Sequence, residues 1–142
     1  MDPKDFLQIA KNLLKSDKPA NCRTAFNRSY YAAYNVGVYL LEEAGIRIRK
    51  SYAGHRELND YLGNCGIKML EQAQSKLVNL GSQRIKADYR MDDSRVEKIN
   101  NAQKAIKTSE NIIQAFDSYA SNSGKKKIAE GVKKYLKAIS SD

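Results

Sequence analysis

The chain has 142 residues, of which 42% are hydrophobic and 29% charged, and a formal net charge of +9. That length supports one domain, and that composition argues against a disordered chain. The longest uncharged run, residues 29–41, is shorter than the roughly 20 apolar residues that span a bilayer, so no membrane span is expected.

Both prolines, Pro3 and Pro19, lie near the start, and residues 20–142 have none. This favours long helices over a turn-rich sandwich. Asp2 is placed to cap a first helix with Pro3 at its first position. Phe6, Ile9, Ala10, Leu13 and Leu14 then form one apolar stripe. Pro19 opens a second helix, expected over 19–44. It carries two stripes: Phe26, Tyr30, Ala33, Gly37, Leu40 and Ala44, and beside them Tyr31, Tyr34, Val38 and Leu41. Two stripes mean burial on more than one side, so this helix is expected to be central, or to face both its own core and a second subunit. Gly45 is a natural stop.

Residues 46–53 read as a basic, irregular connection with Arg47, Arg49 and Lys50. A third helix is expected over 54–64, and a fourth over 67–80, ended by Gly81 and Ser82. Residues 83–93 read as a loop with a short helical turn. Ser94 and Glu97 have capping-box spacing and open a long helix over 94–119. Residues 125–139 form a separate amphipathic helix, with Ile128, Val132, Tyr135, Leu136 and Ile139 on one face and six lysines against Glu130. Its lysines are either a solvated bundle face or a surface for nucleic acid or an acidic membrane. The expected fold is all-α: a single domain over 1–142, an up-and-down antiparallel bundle of four main helices and one or two extra.

Cys22 and Cys65 have neither CxxC spacing nor a histidine cluster. No metal site and no cofactor are therefore expected, and in a chain without a leader-like start the thiols read as reduced and cytoplasmic. No phosphate-binding glycine loop and no zinc-protease motif occurs. The positive charge allows an anionic partner without requiring one.

The run Ala25-Phe26-Asn27-Arg28-Ser29-Tyr30-Tyr31-Ala32-Ala33-Tyr34-Asn35 resembles the signature helix of the HEPN superfamily. The closest pattern is that of the branch reading Arg, a small residue, Tyr-Tyr-Ala, an aromatic and usually His. Gly45, the basic junction around His55, and Arg84-Ile85-Lys86-Ala87-Asp88-Tyr89 fit the same pattern in order, so the resemblance covers about residues 7–116. It implies an all-α bundle, commonly dimeric, and in many members a metal-independent endoribonuclease of toxin–antitoxin or defence systems. RNA is then held in a dimer cleft, and a small nucleotidyltransferase is a frequent antitoxin partner.

Arg28 and Asn35 are two helical turns apart and share a stripe. An arginine there either grips a phosphate or pairs with an acid such as Asp88 or Glu42. Asn35 stands where the family motif has His, and an amide orients groups but does not titrate. His55, the one histidine, is a candidate proton carrier or a plain helix-start residue. Arg47, Arg49, Lys50 and Arg56, with Tyr52 among them, form either a patch that holds an RNA backbone or stacks a base, or a solvated loop. Asp88, Tyr89 and Tyr31 are expected as structural support, with Asp88 pairing Arg28 or Arg84 and Tyr89 packing on the central helix. Three functions fit these residues: an RNA- or nucleotide-binding endoribonuclease or a weakened relative of one, a non-enzymatic HEPN module that binds a nucleotidyltransferase or other protein, and a helical adaptor with a basic tail.

Overall fold

The computed structural model describes residues 1–140, and all regular structure among them is helical. The helices are α1 (Asp5–Leu13), α2 (Pro19–Glu43), α3 (Tyr52–Gly63), α4 (Lys68–Tyr89), α5 (Ile99–Asp117) and α6 (Asn122–Ile139), with a 3₁₀ turn at Ser94–Glu97. Four are long, and α1 and α3 are shorter. No helix among the described residues is long and apolar enough to cross a membrane.

Helix α2 is the hub, packed against α1, α4 and α5. Its first stripe is buried from Phe26 to Leu40, while Tyr31, Tyr34 and Val38 of the second are half-buried. A third buried row, Cys22, Ala25, Ser29 and Ala32, is made of small residues. Small side chains let α5 come close enough for the Ser109 hydroxyl to donate to the Ser29 carbonyl at 2.6 Å. The pairings Arg23 with Ala87 and Tyr30 with Gly81 make α4 antiparallel to α2. Asn21 with Leu13 and Arg28 with Phe6 make α1 antiparallel as well.

Helix α2 stops where the sequence suggested. Gly45 takes φ +89°, and the Ile46 amide reaches back to the Leu41 carbonyl at 2.8 Å, which satisfies a carbonyl that the helix end leaves free.

Helix α3 begins at Tyr52 rather than 54 and α6 at Asn122 rather than 125, and three further boundaries differ from the sequence-based expectation. Helix α1 begins at Asp5, not Asp2. Asp2 instead accepts from the Lys4 amide at 2.9 Å and closes a turn ahead of the helix. Helix α4 does not end at Gly81 and Ser82 but continues to Tyr89, replacing most of the expected loop over 83–93. Gly81 is a contact glycine rather than a stop: a β-carbon there would lie 3.1 Å from the Tyr30 ring. Ser94 and Glu97 do not form a capping box on α5. Asp93 caps the 3₁₀ turn by accepting from the Arg95 amide at 3.0 Å, and extended Lys98 separates that turn from α5.

Glu97 is occupied elsewhere, 2.7 Å from Arg23. Arg23 is almost fully buried. Its guanidinium also donates to the carbonyls of Lys86, Ala87, Met91 and Asp93. One side chain thereby ties α2 to the end of α4 and to the 3₁₀ turn. Helix α6 is capped by the Ser121 hydroxyl, which accepts from the Gly124 amide, and buries Ile128 and Val132 against α2 and α3. Lys125 pairs with Glu43 at 3.3 Å, and Lys126, Lys127, Lys133, Lys134 and Lys137 are exposed.

Candidate functional site

Helix α2 contributes Tyr30, Tyr31 and Tyr34 to one cluster because positions three and four apart share a helix face. The amino end of α3 brings His55 to it. That approach depends on Gly54, where a β-carbon would lie 2.1 Å from the Arg49 carbonyl oxygen and 3.0 Å from the Tyr34 hydroxyl. The His55 ring stacks on Tyr34 with centroids 4.1 Å apart, and its Nδ1 lies 2.7 Å from the Tyr30 hydroxyl. The imidazole is thus fixed on one face and at one nitrogen.

Burial first, and the Arg84 guanidinium second, lower the pKa of His55 below its ordinary 6.5, so the ring is neutral at neutral pH. Burial raises the Tyr30 pKa strongly and that of Tyr34 to a lesser degree, which keeps both phenols protonated. The Tyr30 hydroxyl and His55 Nδ1 share one hydrogen bond; the tautomer in which Nδ1–H donates to the Tyr30 oxygen is the one that leaves Nε2 as a base.

Arg84 lies over the rings of Tyr30 and Tyr31, 5.3 and 5.4 Å from their centroids. It is held by Asp88 at 3.2 Å, one turn later on α4. Asp88 also accepts from the Asn27 amide at 3.1 Å, and the Asn27 oxygen accepts from Arg28 Nε at 2.9 Å and from its Nη2. A continuous polar chain therefore runs from Arg28 through Asn27, Asp88 and Arg84 to the aromatic cluster around His55.

His55 forms part of the wall of two hollows. One, about 440 Å³, is lined by Tyr34, Asn35, Val38, Tyr39, Glu42, Ile48, Arg49, Lys50 and His55. The other, about 250 Å³, lies in the groove between α3 and α4, with Tyr52, Asn59 and Arg84 among its lining.

The structure brings Asn35, His55, Arg49 and Lys50 to one hollow. Arg28 does not line it. Arg28 is half-buried over the Phe6 ring, 4.8 Å from its centroid, and among the described residues it pairs with neither Asp88 nor Glu42. The Asn35 amide donates to the Tyr31 carbonyl of its own helix at 2.8 Å, which leaves the amide oxygen for a ligand. Arg49 is bound to Glu57 at 2.9 Å, with most of its side chain exposed. Arg47 and Arg56 are exposed and line neither hollow.

Tyr89 is a correction. It is 72% exposed, so it does not pack on the central helix; the last turn of α4 carries it outward. Tyr31 and Asp88 are half-buried within the network. Sequence reasoning missed Asn27 and Asn59. Of the two partners it offered Asp88, Arg28 and Arg84, the structure shows Arg84, one helical turn earlier on α4.

Cys22 and Cys65 are buried free thiols, and burial pushes both pKa values up, away from reactivity.

No curated protein and no solved structure matches the chain significantly. The family model described as the HEPN domain matches residues 3–119, which include every residue of the aromatic cluster and its polar chain, and leave α6 outside. A match over most of the chain, on an all-helical bundle whose central helix carries the Arg28–Asn35 segment, shows that this chain belongs to the HEPN domain family.

Proposed function

We propose that this HEPN protein binds RNA in the hollow shared by Asn35 and His55, and acts there as a metal-independent endoribonuclease in the cytoplasm, within a toxin–antitoxin or defence system. The observation that carries this reading is the fixed, neutral imidazole of His55 in the same hollow as Asn35, Arg49 and Lys50. It supplies the titrating group that Asn35 lacks.

Arg49 and Lys50 hold the non-bridging oxygens of the phosphate. Asn35 orients the ribose. His55 Nε2 takes the 2′-hydroxyl proton, and the 2′-oxygen attacks phosphorus. The P–O5′ bond breaks, and water protonates the leaving 5′-oxygen. The products are a 2′,3′-cyclic phosphate and a 5′-hydroxyl.

The working form is a homodimer built on the open side of α2, where Arg28 and Asn35 are half-buried and Tyr39 and Glu42 exposed. A twofold axis crossing α2 antiparallel near residues 31 and 32 sets Arg28 of one copy opposite Asn35 of the other. Arg28 then reaches the phosphate across the interface and stabilises charge growing on phosphorus.

The test is cleavage of mixed single-stranded RNA by wild type, His55→Ala and Arg28→Ala, with product ends identified. Cyclic-phosphate products lost in both variants support the reading. No cleavage by wild type rejects the enzyme.

A second reading is favoured by one observation: the Asn35 amide is engaged by its own helix and does not titrate. On this reading the chain is a non-enzymatic module that binds a nucleotidyltransferase. Co-purification with a nucleotidyltransferase encoded beside it, together with absent RNA cleavage, would select this alternative.

A further inference from the structure

The hollow in the α3–α4 groove is not used by the chemistry proposed above. Its lining includes Tyr52, His55 and Asn59 of α3 and Leu77, Val78 and Arg84 of α4. Tyr52, His55 and Asn59 are spaced three and four apart, so α3 presents all three on one face.

Asn59 Oδ1 and Arg84 Nε belong to two residues of this lining; both atoms are closed to solvent, and among the described residues neither has a hydrogen-bond partner. A buried polar atom left unpaired is destabilising. One is an acceptor and the other a donor, and they belong to facing helices. Apolar Leu77, Val78 and Ile85 complete the wall. At the rim Tyr52 is 87% exposed, its ring centroid 6.2 Å from that of His55. An exposed aromatic ring beside a hollow with both polar and apolar lining matches the shape of a flat, polar-edged ligand.

We infer that the groove between α3 and α4 is a subsite for one unpaired nucleobase, stacked on Tyr52, with its hydrogen-bonding edge turned to the side chains of Asn59 and Arg84, whose buried Oδ1 and Nε turn outward to meet it. Every nucleobase edge places an acceptor beside a donor or within reach of one, and every base has a π-face, so the subsite is tolerant of base identity. Because His55 forms part of the wall of both hollows, a base in this groove and its sugar–phosphate on the Asn35 side lie on opposite sides of one imidazole. The inference rests on the RNA-binding reading for its natural ligand. It names what that reading leaves open: recognition of a single strand, since a base held in a duplex cannot enter the groove.

The experiment follows backbone amide signals by NMR while AMP, UMP and ribose 5-phosphate are added separately. A fluorescence-anisotropy series adds a short single-stranded RNA, the same strand with one abasic position, and its duplex. Both are run on wild type, Tyr52→Ala and Asn59→Leu. We expect AMP and UMP to shift signals of residues 52–59 and 77–85, and ribose 5-phosphate to leave them in place. Single-strand affinity should fall about tenfold in Tyr52→Ala, as loss of one base stack predicts, with little change for the duplex.

The inference is overturned if neither nucleotide moves the groove signals, or if Tyr52→Ala weakens single strand, abasic strand and duplex alike. If RNA is still bound or cut while only signals near Asn35 and Lys50 respond, the subsite falls and the proposed function stands. If nucleotides fill the groove but no RNA is bound or cut, the reverse holds.

Discussion

The Tyr30 hydroxyl and His55 Nδ1 are 2.7 Å apart, joining the central helix to the start of α3 across 25 residues of sequence. The contact fixes the ring of the chain's one histidine, and burial beside Arg84 keeps that ring uncharged. The pKa of His55 in the folded chain therefore lies below 6.5, its value when exposed. Stability from the neutral ring is fully present above pH 6.5 and is lost as pH falls from 6.5 through the lower folded value. Urea unfolding midpoints should be level from pH 8 to 7 and drop between pH 6.5 and 5. His55→Gln should flatten that drop. Equal slopes for wild type and variant over that window would refute the desolvation account.

Asn35→His restores a titrating group in the hollow that already holds His55. If acid–base help limits cleavage, the variant should cut single-stranded RNA faster, within the range of about 10²–10⁴ that such help typically contributes. Arg28→Ala should lower cleavage while leaving the unfolding midpoint nearly unchanged, because Arg28 is only half-buried and its partner Asn27 keeps its bond to Asp88. An Asn35→His protein that binds RNA as wild type does yet gains no rate would show that the missing histidine is not what limits activity.

Tyr39 is 51% exposed on the open side of α2 and lines the Asn35 hollow. If two copies meet there, residue 39 of one copy faces residue 24 of the other across the axis near residues 31 and 32, so Tyr39→Arg sets a new arginine about one helical turn from the other copy's Arg28 and buries an unpaired charge in the contact. Light scattering should then give a dimer for wild type and a monomer for the variant. A wild-type monomer at every concentration would remove the interface.

Gly54→Ala puts a methyl group 2.1 Å from the Arg49 carbonyl oxygen. Backbone does not yield as a side-chain tip does, so the start of α3 must shift. The expected cost is about 1–3 kcal/mol, read from thermal or urea unfolding. Because Gly54 precedes His55, the His55 ring resonances should also lose the ring-current shifts that come from stacking on Tyr34.

Arg23→Met leaves the Glu97 carboxylate and four backbone carbonyls without their shared donor. Breaking such a buried pair from one side costs about 3–5 kcal/mol. Hydrogen exchange should rise first at residues 86–97, where the lost bonds end. Unfolding at the wild-type midpoint would show that other contacts hold the end of α4.

Much of this protein was legible in the one-dimensional pattern. The absence of proline after residue 19 and the helical spacing of Phe26, Tyr30, Ala33 and Leu40 determined an all-helical bundle with α2 at its centre, because burial of a recurring apolar face is a local, periodic property. Gly45 and the Arg28–Asn35 segment were readable for the same reason: one is a backbone conformation, the other a run of neighbours. Gly81 shows where that logic stopped. Its role depends on the Tyr30 ring opposite, and only the packed helices distinguish a glycine that ends a helix from one that makes room for a neighbour. Glu97 is similar: capping spacing was visible, but the long-range charge of Arg23 outweighed it. The tertiary structure alone decided that His55, rather than Arg28, shares a hollow with Asn35, because that juxtaposition is set by how α3 crosses α2 and not by any spacing along the chain.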